Sequence, residues 1–114
     1  MEKTIEIDGK KVKLKSHAAI PLMYQAQFKR DFFADILKMN KLSEFNTKKK
    51  NFEVLSDLDS TVFYNILWIY AKSANPNIEE PIKWFSQFEE FPLQDIILEI
   101  TDLLQHSFKT KKNE

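Results

Sequence analysis

Apolar residues recur along this chain with two different periods, and the change of period divides it. Over residues 4–7 and 10–15 apolar and polar positions alternate, with Ile5 and Ile7 before Asp8-Gly9 and Val12 and Leu14 after it. Alternation on both sides of Asp-Gly predicts a β-hairpin over residues 1–15, closed by a type I′ turn that needs positive φ at both central residues. Gly9 is the only glycine in the chain. Ile5, Ile7, Val12 and Leu14 then share one face, with Lys and Glu on the other. Two strands alone are marginal in water, so this face is expected to lie on helices or on a strand of another copy. These four residues are the candidate self-association surface.

Beyond Ser16 the period becomes helical. Pro21 suits a first helical turn, and a helix is predicted over 21–39. Phe28, Phe32, Phe33, Ile36, Leu37 and Met39 give it a broad apolar surface; Gln25, Gln27, Arg30, Asp31, Asp35 and Lys38 are polar, with both acids within reach of Arg30 or Lys38. Residues 40–53 break the pattern and read as a loop holding Lys48-Lys49-Lys50, with Phe45 and Phe52 as isolated anchors. A helix over 58–74 follows, apolar on almost every side, which marks it as the central element. Asn75-Pro76 ends it. A short helix is predicted over 79–88 with Pro81 in its first turn, and an amphipathic one over 92–107, with Leu93, Ile96, Ile97, Ile100, Leu103 and Leu104 on one face. Residues 108–114 read as a flexible Lys-rich tail. The expected fold is α+β, an N-terminal β-hairpin followed by a mostly α-helical bundle of about four helices, in one domain over 1–114.

Ten Phe, three Tyr and two Trp within an apolar fraction of 43% support a packed core. The absence of Cys excludes disulfides, thiolate metal sites and thiol nucleophiles, and suits a reducing cytoplasm. No apolar run approaches the ~20 residues of a membrane span, and residues 1–8 lack the apolar segment of a signal peptide. Net charge is zero but divided: residues 1–50 carry twelve Lys and Arg against six Asp and Glu, and residues 51–106 carry two against ten. A basic half and an acidic half attract each other within a molecule or between copies.

Catalytic patterns are missing. His17 and His106 stand about ninety residues apart with no ligand at metal spacing, and read as a linker residue and a helix-end residue. Glu79-Glu80 and Glu89-Glu90 are adjacent pairs whose side chains diverge on a helix, so solvated surface explains them better than acid–base work. One glycine cannot build a phosphate cradle. The chain is therefore expected not to be an enzyme and to hold no cofactor or metal. Two binding readings remain. Tyr64, Trp68, Trp84, Phe85 and Phe88 exceed what a small core needs and are the candidate partner-binding residues, for an apolar helix or another copy. Alternatively, the lysines at 48–50 with Phe45 and Phe52 would make a small DNA-binding regulator; a single Arg and an acidic second half weigh against nucleic acid.

The opening TIEIDGKKVKLK and the following Tyr24, Phe28 and Asp31 (Y-x-x-x-F-x-x-D) resemble the tail assembly chaperones of long-tailed bacteriophages. The resemblance continues through the central helix with Ala71 and its turn Ala74-Asn75-Pro76, the segment Ile82-Lys83-Trp84-Phe85-Ser86-Gln87-Phe88, and the last amphipathic helix. It implies a non-enzymatic protein of the infected bacterium's cytoplasm, absent from the finished virion. Such chaperones coat the long, helical, apolar tape measure protein until tail tube subunits polymerise round it, and they tend to self-associate. Neither nucleic acid nor membrane is an implied partner.

Overall fold

The computed structural model describes residues 1–38 and 60–108, with the backbone alone at 106–108. The expected loop at 40–53, the lysines at 48–50, the predicted start of the central helix at 58 and the tail beyond 108 lie outside the described residues. The fold is α+β as expected: strands β1 (Glu2–Ile7) and β2 (Lys10–Lys15) form an antiparallel hairpin, and five helices follow among the described residues, α1 (Ile20–Phe28), α2 (Phe32–Lys38), α3 (Ser60–Ala74), α4 (Pro81–Phe85) and α5 (Leu93–Phe108).

Asp8 and Gly9 have φ of 54° and 76°, the pair of positive values that a type I′ turn requires. This turn sets the register, with Ile5 opposite Val12 and Ile7 opposite Lys10. Met1 and Ser16 close the open end by exchanging two backbone hydrogen bonds of 2.8 and 3.1 Å. The apolar hairpin face lies on α3, so β2, α3 and the α1–α2 pair form successive layers, and α5 flanks β1. Eight of the fifteen positions of α3 are buried, among them Phe63, Trp68 and Tyr70. Each such side chain contributes roughly 1.5–3 kcal/mol relative to its exposed state, which is why this helix centres the core.

The predicted helix over 21–39 is two helices. Lys29 adopts a left-handed conformation (φ 57°) that stops α1, and its amide donates to the Gln25 carbonyl. Asp31 then restarts the chain, its carboxylate accepting the amide of Phe33 at 3.1 Å in the manner of an N-cap. Neither residue is a glycine or proline, so hydrophobic periodicity runs through the break unaltered. The predicted helix over 79–88 is also shorter: α4 ends at Phe85, and residues 86–88 turn away. The last helix begins at Leu93 and continues to Phe108, where a tail was expected to begin.

Candidate functional site

The five aromatic residues singled out as partner-binding divide into two groups. Trp68 and Trp84 are buried, with 1% and 7% of their surfaces exposed, and belong to the core instead of an open patch. The reason is the turn after α3. Asn75 accepts the amide of Asn77 on its side chain and that of Ile78 on its carbonyl, which sends the chain back along the helix it has just left. The Trp68 indole N–H donates to the Glu79 carbonyl at 2.9 Å, and Lys72 lies 5.6 Å from the Trp68 ring centre while its ammonium donates to the Pro76 carbonyl. Trp68 thus fastens the returning segment, and Trp84 is folded inward with it.

Tyr64, Phe85 and Phe88 remain at the surface, the first exposed and the other two half-buried. Tyr64 stands edge-on to Phe85 at 4.8 Å and stacks on Phe91 at 5.1 Å, and Phe85 and Phe91 also touch at 5.9 Å. Three mutually packed rings hold α4 and the approach to α5 against the start of α3. Phe91 was not among the residues singled out in the sequence; an aromatic directly before Pro92 was the available signal. Phe88 packs edge-on to Trp84 and beneath Lys10, 5.6 Å from ring centre to ammonium.

The candidate self-association residues are corrected by the same structure. Ile5, Ile7, Val12 and Leu14 are 0–8% exposed and lie in the common core with α1, α3 and α5. The chain's own helices cover the hairpin face, which is the first of the two coverings expected, so these four residues are not left for a strand of another copy.

A groove of about 620 Å³ opens beside the hairpin, walled by Lys10, Lys11 and Lys13 of β2, by Ala71 of α3 and Asn75 just after it, and by Ile78, Trp84 and Phe88 of the returning segment. One end is closed by the turn: the Lys10 ammonium donates to the Gln87 carbonyl (3.0 Å), and the Glu89 amide donates to the Asp8 carboxylate (3.0 Å). The groove therefore joins a row of cations to an aromatic and aliphatic floor. Sequence reading missed it because β2 and residues 78–88 are far apart in the chain.

At the α1–α2 elbow lies a buried ionisable cluster. The Tyr24 hydroxyl donates to Asp35 Oδ2 at 2.7 Å, and Arg30 grips the same carboxylate through Nε (2.6 Å) and Nη2 (2.8 Å). Asp35 is 3% exposed, which departs from its expected place on a polar face. Its pairing with Arg30 was among the expected contacts. Arg30 holds the Asp35 carboxyl below its ordinary value against the opposing effect of burial, with Tyr24 adding to the depression. Burial pushes the Tyr24 hydroxyl up, and the adjacent carboxylate adds to that. Asp31, the acid quoted in the Tyr24–Phe28–Asp31 motif, does not meet Tyr24 but caps α2. The carboxylate of the cluster is taken up by Tyr24 and Arg30, and the cluster presents no reactive group.

His17 accepts the Ala19 amide on Nδ1 in a local turn. Among the described residues no group of three or more His, Cys, Asp or Glu stands close enough to hold a metal ion, and no helix is long and apolar enough to cross a membrane. Leu22, Leu37 and Ile82 are 74%, 71% and 88% exposed, apolar side chains that the core does not use. No protein-family model, curated protein or solved structure matches the chain.

Proposed function

We propose that this protein is a non-enzymatic tail assembly chaperone of a long-tailed bacteriophage, which binds the apolar, helical tape measure protein in the host cytoplasm and is absent from the mature virion. It releases its client when tail tube protein polymerises, and copies of it associate into a ring or spiral along the client. The reading rests on the resemblance of the hairpin, the central helix and the Trp84–Phe88 segment to that family. The observation that carries it is the division of apolar residues: among the described residues the core closes over twenty-two side chains while Leu22, Leu37 and Ile82 stay in water. Apolar side chains left on a surface are where an amphipathic client helix gains contact without any nucleotide cycle. A client with repeated apolar stripes aggregates alone, and binding to its folded form holds it in solution by mass action. Co-expression with the tape measure protein encoded beside it tests the proposal. The expected result is a soluble complex that purifies together; a client that remains insoluble and unbound refutes it. The DNA-binding alternative depends on lysines outside the described residues, and nothing described favours it.

A further inference from the structure

The hairpin leaves one edge open, and its chemistry is specific. In an antiparallel ladder closed by a two-residue turn, the residues flanking the turn exchange hydrogen bonds and alternate pairs do so from there on. Ile7 and Lys10 flank this turn, and Met1 and Ser16 are hydrogen-bonded at the far end, so the bonded pairs are 7/10, 5/12, 3/14 and 1/16. The backbone N–H and C=O groups of Lys11, Lys13 and Lys15 therefore point away from β1. Among the described residues the sheet has two strands only, and none of those residues pairs with these groups.

Along this edge the side chains alternate between two environments. Lys11 and Lys13 stand on the exposed face and make no ion pair among the described residues. Val12, between them, points to the helical side and opens into the groove floored by Ala71, Ile78, Trp84 and Phe88. A strand laid against the edge would place alternate side chains over the lysine row and the others into the groove.

We infer that the outer edge of β2 is a docking site for an extended acidic segment of a partner protein, which adds to the hairpin as a third strand with acidic residues over Lys11 and Lys13 and apolar residues in the groove. Charge complementarity selects the occupant. Cross-strand opposite charges stabilise a ladder, and the register on the β1 side already sets Glu6 opposite Lys11 and Glu2 opposite Lys15. Lysines on an edge repel another lysine-bearing edge, which excludes β2 of a second copy. The outer edge of β1 is a poor donor strand as well, because α5 runs beside it, with Asp95, Ile96, Leu98 and Glu99 lining the space next to Ile5 and Glu6. Backbone hydrogen bonds supply the affinity in this mode, and the alternating side chains supply selection. The inference concerns an extended segment and stands apart from the helical client proposed above.

The probe is a fluorescent nine-residue peptide alternating Glu and Val, titrated by anisotropy into the intact protein. Two further peptides carry N-methyl groups on one or the other set of alternate amides. One set faces β2 and the other faces away, so methylation of one set is expected to weaken binding about tenfold or more while the other leaves it unchanged. Lys13→Pro removes only an outward-facing N–H, and is expected to weaken the peptide similarly with thermal melting unaltered. The double charge reversal Lys11→Glu with Lys13→Glu is expected to abolish binding, and serves where the proline variant does not fold. Failure of the parent peptide to bind overturns the inference, as does equal binding by both methylated peptides, which would mean charge attraction alone. An oligomer dispersed by Lys13→Pro also overturns it, by assigning the edge to a second copy.

Discussion

Substitution at Asp35 probes the α1–α2 elbow, because one carboxylate there accepts from both Tyr24 and Arg30. Asp35→Ala leaves a fully buried tyrosine hydroxyl without this acceptor and an arginine without its counter-charge. A buried hydrogen bond to a charged acceptor contributes about 1.5–3 kcal/mol. The Arg30 side chain is 38% exposed, so water replaces part of what it loses and the second contact is discounted. The expected loss for Asp35→Ala is about 3 kcal/mol, and for Tyr24→Phe about 1.5 kcal/mol, since the arginine pair survives. In a domain of this size the larger loss lowers Tm by roughly 10–20 °C. Urea denaturation followed by tryptophan fluorescence measures both. The pH dependence adds a sign. Arg30 holds Asp35 below its ordinary 3.8, so its contribution is complete above that value and vanishes as pH falls through the depressed folded one. The gap between parent and Asp35→Ala is thus expected to hold from neutrality to about pH 5 and to close below it. A variant within 0.5 kcal/mol of the parent (roughly the limit of such measurements), or a gap indifferent to acid, would refute the reasoning.

Three smaller changes follow from individual contacts. Gly9→Ala meets open space, so only its positive φ resists the methyl group; about 1 kcal/mol is expected to be lost in chemical denaturation, and less for Gly9→Asn, which tolerates that conformation. Ser73→Ala removes a buried hydroxyl that has no partner among the described residues and raises helix propensity near the end of α3, so Tm is expected to rise, by about 0.5–1 kcal/mol of stability. Lys3→Met keeps the apolar stem but removes an ammonium lying 2.8 Å from Glu99 and 2.6 Å from Asp102; the loss, about 1 kcal/mol in dilute buffer, is expected to shrink in 1 M salt, and those two acids, which raise the lysine's pKa, make the loss specific to pH below its titration.

What could be read from the chain was local and periodic. The hairpin was legible because Asp8-Gly9 has few alternative conformations, and α3 because Asn75-Pro76 stops it as firmly as its apolar residues define it. The break at Lys29 was hidden because it depends on Asp31 capping and on the Arg30–Asp35 clasp, contacts among polar residues that leave the hydrophobic spacing unchanged. The aromatics at Tyr64 and Phe85 stood out in the sequence, yet exposure is a property of the tertiary fold. No spacing rule reveals that Trp68 spends its indole N–H on the Glu79 carbonyl, or that Phe91 completes a ring cluster with Tyr64. The groove beside β2 was illegible for a similar reason, since its two walls meet only when the chain returns after α3.

The divided charge takes on a different meaning once the hairpin is in place. Lys3 from the basic half pairs with Glu99 and Asp102 of the acidic half, and Asp8 and Lys10 at the turn hold the backbone of Glu89 and Gln87. Polar ties therefore rim an apolar face that is already closed, and part of the attraction between halves is satisfied inside one molecule. Self-association through the apolar hairpin face loses its basis, because Ile5, Ile7, Val12 and Leu14 are in the core. Lys11 and Lys13, two of the several lysines without an ion pair among the described residues, face outward along the edge of β2, which no described strand covers. Two of these charges therefore stand where the backbone is also unpaired among the described residues, and a partner drawn there by charge meets hydrogen-bonding groups already spaced for a strand.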